Sequence, residues 1–180
     1  MCKNDTSLSD MVDEFRAKAY ESFKALFSPD QLETGSWASN KSLRSSFDYI
    51  LIIKSDNEEY SSIMCVGLDL HKIDQFFRDS VDSDRSLDLL KDALTEFGNV
   101  YCGLINDIPL FSKKYGILRQ HPPQEAVKYA FFSTMDSAVE GYLLLPEYGE
   151  ELYVGYGIHT KNKAEQKQVS KEFSTLFEGL

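Results

Sequence analysis

The residues of this chain best spaced for chemistry lie on one predicted helix, SLDLLKDALTEFGNVYCGLIND over 86–107. At about 100° per residue, Leu90, Ala93, Leu94, Phe97, Tyr101 and Leu104 share one face. Asp92, Glu96, Asn99 and Gly103 fall within roughly 60° of one another on the opposite face. Two carboxylates and an amide thus form a polar stripe that ends in a residue without a side chain. Such groups offer charge and hydrogen bonds to a partner. Gly98 lies beside Asn99, and each glycine inside a helix costs about 1 kcal/mol relative to alanine. Close approach of a partner along the ridge is one physical reason to tolerate that cost. A charged helix face by itself is more often only a solvated face, and glycines near a helix end can be caps.

Other chemistries find little support. Cys2, Cys65 and Cys102 are odd in number and widely spaced, with no CxxC, which reads as buried thiols in a reducing, cytoplasmic setting. Cys102 has no histidine near it in sequence to activate a nucleophile. His71, His121 and His159 stand singly, outside HxxxH or HExxH spacing, so no metal site is expected. Phosphate-cradling and nucleophile-elbow glycine motifs are missing. Trp37, Phe76, Phe77, Phe131 and Phe132 read as core or edge packing. With 29 acidic against 19 basic residues and a net charge of −10, the chain is a poor candidate for nucleic acid or anionic lipid. A small molecule or another protein suits it better. No run of about 20 apolar residues exists to span a membrane, and the polar start, Met1 to Thr6, is expected to hold no export signal.

The elements that must position the stripe follow from periodicity. At 180 residues the chain suits one domain. Val12, Phe15, Ala19, Phe23 and Phe27 predict a helix over 8–27, capped by Ser7 or Ser9 and stopped at Ser28-Pro29-Asp30. Residues 31–45 are polar and weakly patterned and could hold one irregular strand carrying Trp37. Strands are expected over 47–55 and 60–68 around the turn Asp56-Asn57-Glu58-Glu59, with Phe47, Tyr49, Leu51 and Ile53 on one face. A short helix over 70–81 and a turn at 82–84 lead into the 86–107 helix, which Asp84 or Ser86 caps. Beyond Gly116 and Pro122-Pro123, strands are expected over 126–134, 138–145 and 151–159, with turns at Asp136-Ser137 and Pro146–Gly149. A last helix, 161–178, carries an apolar row of Val169, Phe173, Leu176 and Phe177, and either packs on the domain edge or forms a docking tail.

Hairpins dominate this order, which predicts an α+β domain with an antiparallel sheet and helices on one face. A weak internal repeat supports that reading. Residues 49–68 are similar to 129–146, and Asp10-x3-Glu14-x2-Ala17 on the first helix parallels Asp92-x3-Glu96-x2-Asn99 on the later one. A duplicated helix-plus-three-strands unit explains both, as does chance on such short matches.

The pattern Asp92-x3-Glu96-x2-Asn99, then 22 residues, then Pro122, resembles the motif of the CheC/CheX/FliY family of chemotaxis phosphatases. TEFGNVYCG (95–103) is similar to the family's ExxN helix, and the resemblance covers about residues 8–158. Ala17 stands where a second asparagine would be, so the one-site, CheX-like arrangement is the better match. The resemblance implies a duplicated α-β-β-β fold over residues 1–160, with 161–180 as a C-terminal helical extension. It further implies a homodimer that hydrolyses the phospho-aspartate of a CheY-type receiver. In that role Asn99 orients a water through one acceptor and two donors, and Glu96 pairs with the receiver's active-site lysine. Asp92 steadies the docking or the helix, while Gly103 and Pro122 complete the docking and structural motif. No cofactor is expected in this chain, since Mg²⁺ belongs to the receiver's acidic pocket.

Three features depart from the family pattern. Asp56-Asn57-Glu58-Glu59 replaces a glycine-rich hairpin, which weighs against dimerisation there; Pro109 should end or kink the motif helix; and the 161–178 helix lies outside the pattern. Two alternatives stand beside the phosphatase reading. One is a non-catalytic CheC-like module that binds a receiver or a signalling or flagellar-switch protein. The other is an unrelated α+β interaction domain carrying ExxN by chance.

Overall fold

A computed structural model describes residues 7–27, 31–69, 86–146 and 149–161. A 3-10 turn, Leu8–Met11, leads into helix α1, Val12–Phe27. Ser7 caps the turn: its side chain accepts from the Ser9 N–H, and Asp10 returns a bond to the Ser7 N–H at 2.7 Å. Strand β1 then runs unbroken over Glu33–Asp56, and β2 follows over Tyr60–Leu68. The motif helix α2 spans Ser86–Asn106, and a short helix α3 spans Pro109–Tyr115. A two-residue strand β3, Arg119–Gln120, precedes β4, Gln124–Leu145, and β5, Glu150–Thr160. The expected 70–81 helix, the 82–84 turn, the Ser28-Pro29-Asp30 stop and the 161–178 helix beyond Lys161 lie outside the described residues.

Among the described residues every strand pairing is antiparallel. The two long strands each act as two. The first part of β1 (33–40) pairs with the last part of β4 (138–144), and residues 42–52 of β1 pair with 124–134 of β4. The last part of β4 also pairs with β5, β5 with β2, and β2 with the last part of β1. Counted by halves, the sheet has six strands in the order β1 start, β4 end, β5, β2, β1 end, β4 start. Exchanging the two repeats reverses this order without changing it. The sheet is thus that of a duplicated α-β-β-β unit, with the pseudo-twofold between β2 and β5.

One expectation is corrected here. Asp136-Ser137 is no turn: β4 continues through it, because Ser137 and Ala138 pair with Ile158 and Gly157 of β5. The irregular strand expected around Trp37 is present over residues 33–45, and it runs on without a break into the apolar strand that follows. Its ladder to β4 keeps it extended, with register shifts between Thr34 and Trp37 and between Asn40 and Ser42.

The helices cover one face of the sheet. Phe15, Phe23, Leu94, Phe97, Tyr101 and Phe111 from the helices are buried against Leu51, Ile53, Val66, Val154 and Tyr156. The α1–α2 contact is aromatic, with Phe23 meeting Phe97 edge-on at 5.7 Å between centroids. A smaller cluster, including Leu43, Ile50, Cys65 and Tyr153, lies apart from this core. Phe47 belongs with that cluster and not with Tyr49, Leu51 and Ile53 as expected. Its ring occupies the space that Gly67 leaves open, where a Cβ would sit 2.3 Å from Phe47 Cδ2.

Trp37 is placed the same way. Its indole lies over Gly141, its cross-strand partner, and donates to the Tyr142 carbonyl at 3.2 Å. A Cβ at position 141 would stand 2.3–2.6 Å from three indole carbons, which belong to a rigid ring. Gly141→Ala is therefore expected to destabilise the fold by about 1–3 kcal/mol through overpacking. Urea unfolding checks this, and an unchanged midpoint contradicts the placement of the ring.

Candidate functional site

The seat of α2 on the sheet decides which of its residues meet solvent. Gly98 is buried, and a Cβ there would stand 2.6 Å from Ile53 Cδ1. The close approach that this glycine permits is to the protein's own sheet, not to a partner, which corrects the sequence-based reason for it. With Gly98, Leu94, Phe97 and Tyr101 turned inward, the opposite stripe must face out. Asp92 and Glu96 are exposed, and Asn99 and Gly103 are half-buried. Gly103 has nothing within 4 Å of where its Cβ would stand, so the fold itself places no demand for glycine there. Among the described residues, no ion pair occupies the Asp92 or Glu96 carboxylate and no hydrogen bond occupies the Asn99 side-chain amide.

Pro109 ends the motif helix as expected, but it does so as the first residue of α3, where its missing N–H is harmless. The segment after α3 then returns along α2. Asn106 grips Leu118 from both sides, its Nδ2 donating to the Leu118 carbonyl and its Oδ1 accepting the Leu118 N–H, both at 3.2 Å. Asn57, in the β1–β2 turn, donates to the Tyr115 carbonyl at 2.7 Å while its Oδ1 accepts the N–H groups of Glu59 and Tyr60. β3 pairs Gln120 with Ser55 and Arg119 with Asp56. The His121 N–H donates to the Lys54 carbonyl at 2.8 Å, and the ladder stops at Pro122, which has no N–H to give.

This return places Gln120, not Pro122, against the stripe. Gln120 Nε2 donates to the Asn99 carbonyl oxygen at 3.1 Å. Pro122 is exposed and lines an open groove with Lys54, Asp56, Ser61, His121 and His159. At the edge of that groove, Asp56 accepts from His121 Nε2 at 3.0 Å and from Lys161 Nζ at 2.6 Å. Partial burial pushes the Asp56 carboxyl up, but the bonds from Lys161 and His121 outweigh it and hold its pKa below the ordinary value.

The thiols take no part in this site. Burial pushes Cys65 and Cys102 each up to about 12, so both stay protonated. Among the described residues no group of His, Cys, Asp and Glu gathers as a metal site, and no described helix is long and apolar enough to cross a membrane. An apolar cleft among Phe23, Phe27, Leu68, Leu90, Leu94 and Leu152 lies on the early part of α2, toward its Leu90 end, away from Asn99.

The first repeat has a groove in the corresponding place, lined by Arg16, Ala17, Tyr20, Leu32, Glu33 and Thr34. Glu14 and Ala17 are exposed on α1, so the stripe is duplicated in position but carries no amide. Asp10, the counterpart of Asp92, is occupied in the cap with Ser7. Gln120, Asn57 and Asn106 were not evident from sequence. Their spacing has no periodic signature, and only the polar dipeptide Gln120-His121 before Pro122-Pro123 marks the segment.

No family model and no curated protein matches the chain. Solved structures do. One is a complex of CheX, CheY, BeF3 and Mg from Borrelia burgdorferi: TM-score 0.62, 15% identity, 84% of this chain and 99% of that chain covered. CheX from Vibrio vulnificus is similar at TM-score 0.63 and 13% identity, covering 83% and 99%. A CheC-like superfamily protein from Shewanella sp. PV-4 is similar at TM-score 0.60 and 11% identity, covering 83% and 97%. The chain has the fold of the CheC/CheX chemotaxis proteins.

Because nothing in the fold needs the glycine at 103, Gly103→Ala should raise stability by about 0.5–1 kcal/mol through helix propensity alone. Thermal or urea unfolding reads the change, and a loss of stability would show an unseen demand for glycine at that turn.

Proposed function

We propose that this protein is a CheX-like phosphatase that hydrolyses the phospho-aspartate of a CheY-type receiver domain. The observation that carries the proposal is the open stripe on α2. Glu96 and Asn99 stand one turn apart, outward-facing and uncommitted, on a fold whose Borrelia counterpart was crystallised with CheY. An acyl phosphate is already activated, so the remaining task is to hold a water in line with the phosphorus. Asn99 supplies a neutral amide for that water, with no proton chemistry of its own. Glu96 supplies a counter-charge for a receiver lysine and fixes the docked register. Asp92, one turn further back, adds to the acidic surface that a lysine would meet.

Gly103 is read as the clearance that lets the receiver lie along the helix, since its position is open to solvent. Pro122 is read as structural, since it ends the β3 ladder. The protein is further proposed to act in the cytoplasm, where receivers reside, and as a homodimer; Phe47, Ile52, Ile63 and Tyr142 are only partly buried around the smaller cluster and offer apolar surface for a second copy.

Asn99→Ala should leave the fold intact and slow hydrolysis of a phosphorylated receiver by on the order of 10²–10³. Glu96→Ala should raise the receiver concentration needed for half-maximal rate, and this effect should shrink as salt rises. The double variant should lose less than the product of the two losses, because both residues act on one bound geometry. Glu14→Ala, on the corresponding face of α1, should change neither. Receiver dephosphorylation followed over time measures all four. If Asn99→Ala works as fast as the parent while the receiver still binds, the protein is instead a binding module.

A further inference from the structure

We infer that Gln120 is a positioning residue for this site, an inference that rests on the proposed hydrolysis at Asn99. The carbonyl of Asn99 accepts the Gln120 Nε2–H at 3.1 Å, in addition to the bond that a helical carbonyl takes from four residues on. The backbone of the water-orienting residue is thereby tied to a second element. That element is itself fixed at both ends. On one side Leu118 is held by both polar atoms of Asn106. On the other, Gln120 is paired with Ser55 on β1, and His121 is held by the Lys54 carbonyl and by the Asp56 carboxylate.

Gln120 is exposed, so its amide is not demanded by burial, and replacing it leaves no orphaned buried group. What it adds is geometry. An α-helix on the solvent side lets its carbonyls tilt outward. A donor held on a paired strand sets that tilt at the turn that carries Asn99. Water placement for an in-line attack tolerates little error, and a displacement of about 1 Å can cost about 10²-fold. Gln120 acts through Asn99 and need not touch the phosphoryl group.

The test uses the full chain and a purified receiver phosphorylated with phosphoramidate, with the Asn99 carbonyl carbon followed by NMR. Gln120→Ala should lower the hydrolysis rate at saturating receiver about tenfold, as a small misplacement of the water would, while receiver affinity stays unchanged and the chain still folds cooperatively. The Asn99 carbonyl resonance should shift as its second donor is lost. Gln120→Lys, which keeps a donor of similar reach, should recover most of the rate, and Gln120→Glu, which has none, should not. A saturating rate that is unchanged in Gln120→Ala, a loss confined to affinity, or an Asn99 resonance that does not move overturns the inference and leaves the proposed function standing. A parent chain that does not hydrolyse the receiver, or an Asn99→Ala variant as fast as the parent, overturns both.

Discussion

The close seating of α2 on the sheet is the contact from which the rest of the site follows. It is made where Gly98 meets Ile53, with Leu51 and Met64 beside it. A Cβ at this position would require the end of the Ile53 side chain to move, so the glycine lets this face of the helix lie directly on the sheet. Leu94, Phe97 and Tyr101 must then point into the core, and Asp92, Glu96 and Asn99 must point away from it. The glycine costs about 1 kcal/mol in helix propensity and is offset by the apolar contact it allows. The chemical face of the helix is a consequence of how its other face is buried.

Much of this was legible in the sequence, for physical reasons that differ by element. The 3.6-residue period of α2 and α1 is strong: α2 lies within a residue of its expected bounds, and α1 ends where expected, while the first four residues of its expected span form the 3-10 turn. The β1–β2 turn was legible because Asp56-Asn57-Glu58-Glu59 interrupts two apolar runs. The length of β1 and β4 was not. Their middle stretches, around Asn40 and around Asp136, are polar because the paired strands cross the molecule there away from the main core. Local sequence reads such residues as turns, while the ladder between the two repeats keeps them extended. α3 has no such signal, because Pro109 in sequence reads as a stop although proline is equally at home in a first helical turn. The role of Gly98 is not legible either, because a buried glycine and an exposed one look alike in sequence.

The duplication also accounts for why the stripe carries an amide in one repeat and not in both. Both repeats place a helix face beside the segment that enters a long strand. In the second repeat that face carries Asn99 and is tied to Gln120. In the first, Ala17 offers no hydrogen bond, and the acid at the start of the motif is spent on capping the helix. The same backbone frame thus carries an amide-bearing stripe in one half and a groove beside Ala17 in the other. The difference lies in a few side chains and not in the fold.

The central claim is that the outward face of α2 acts on a phosphorylated receiver. The most direct measurement is the first-order decay of phosphate on receiver domains from the same organism, each followed at increasing concentrations of this protein. The account predicts that, for at least one receiver, the decay constant rises with protein concentration and then saturates, above the receiver's own rate of hydrolysis. Decay constants that stay at the intrinsic rate for every receiver, at concentrations where a complex is seen to form, would contradict it.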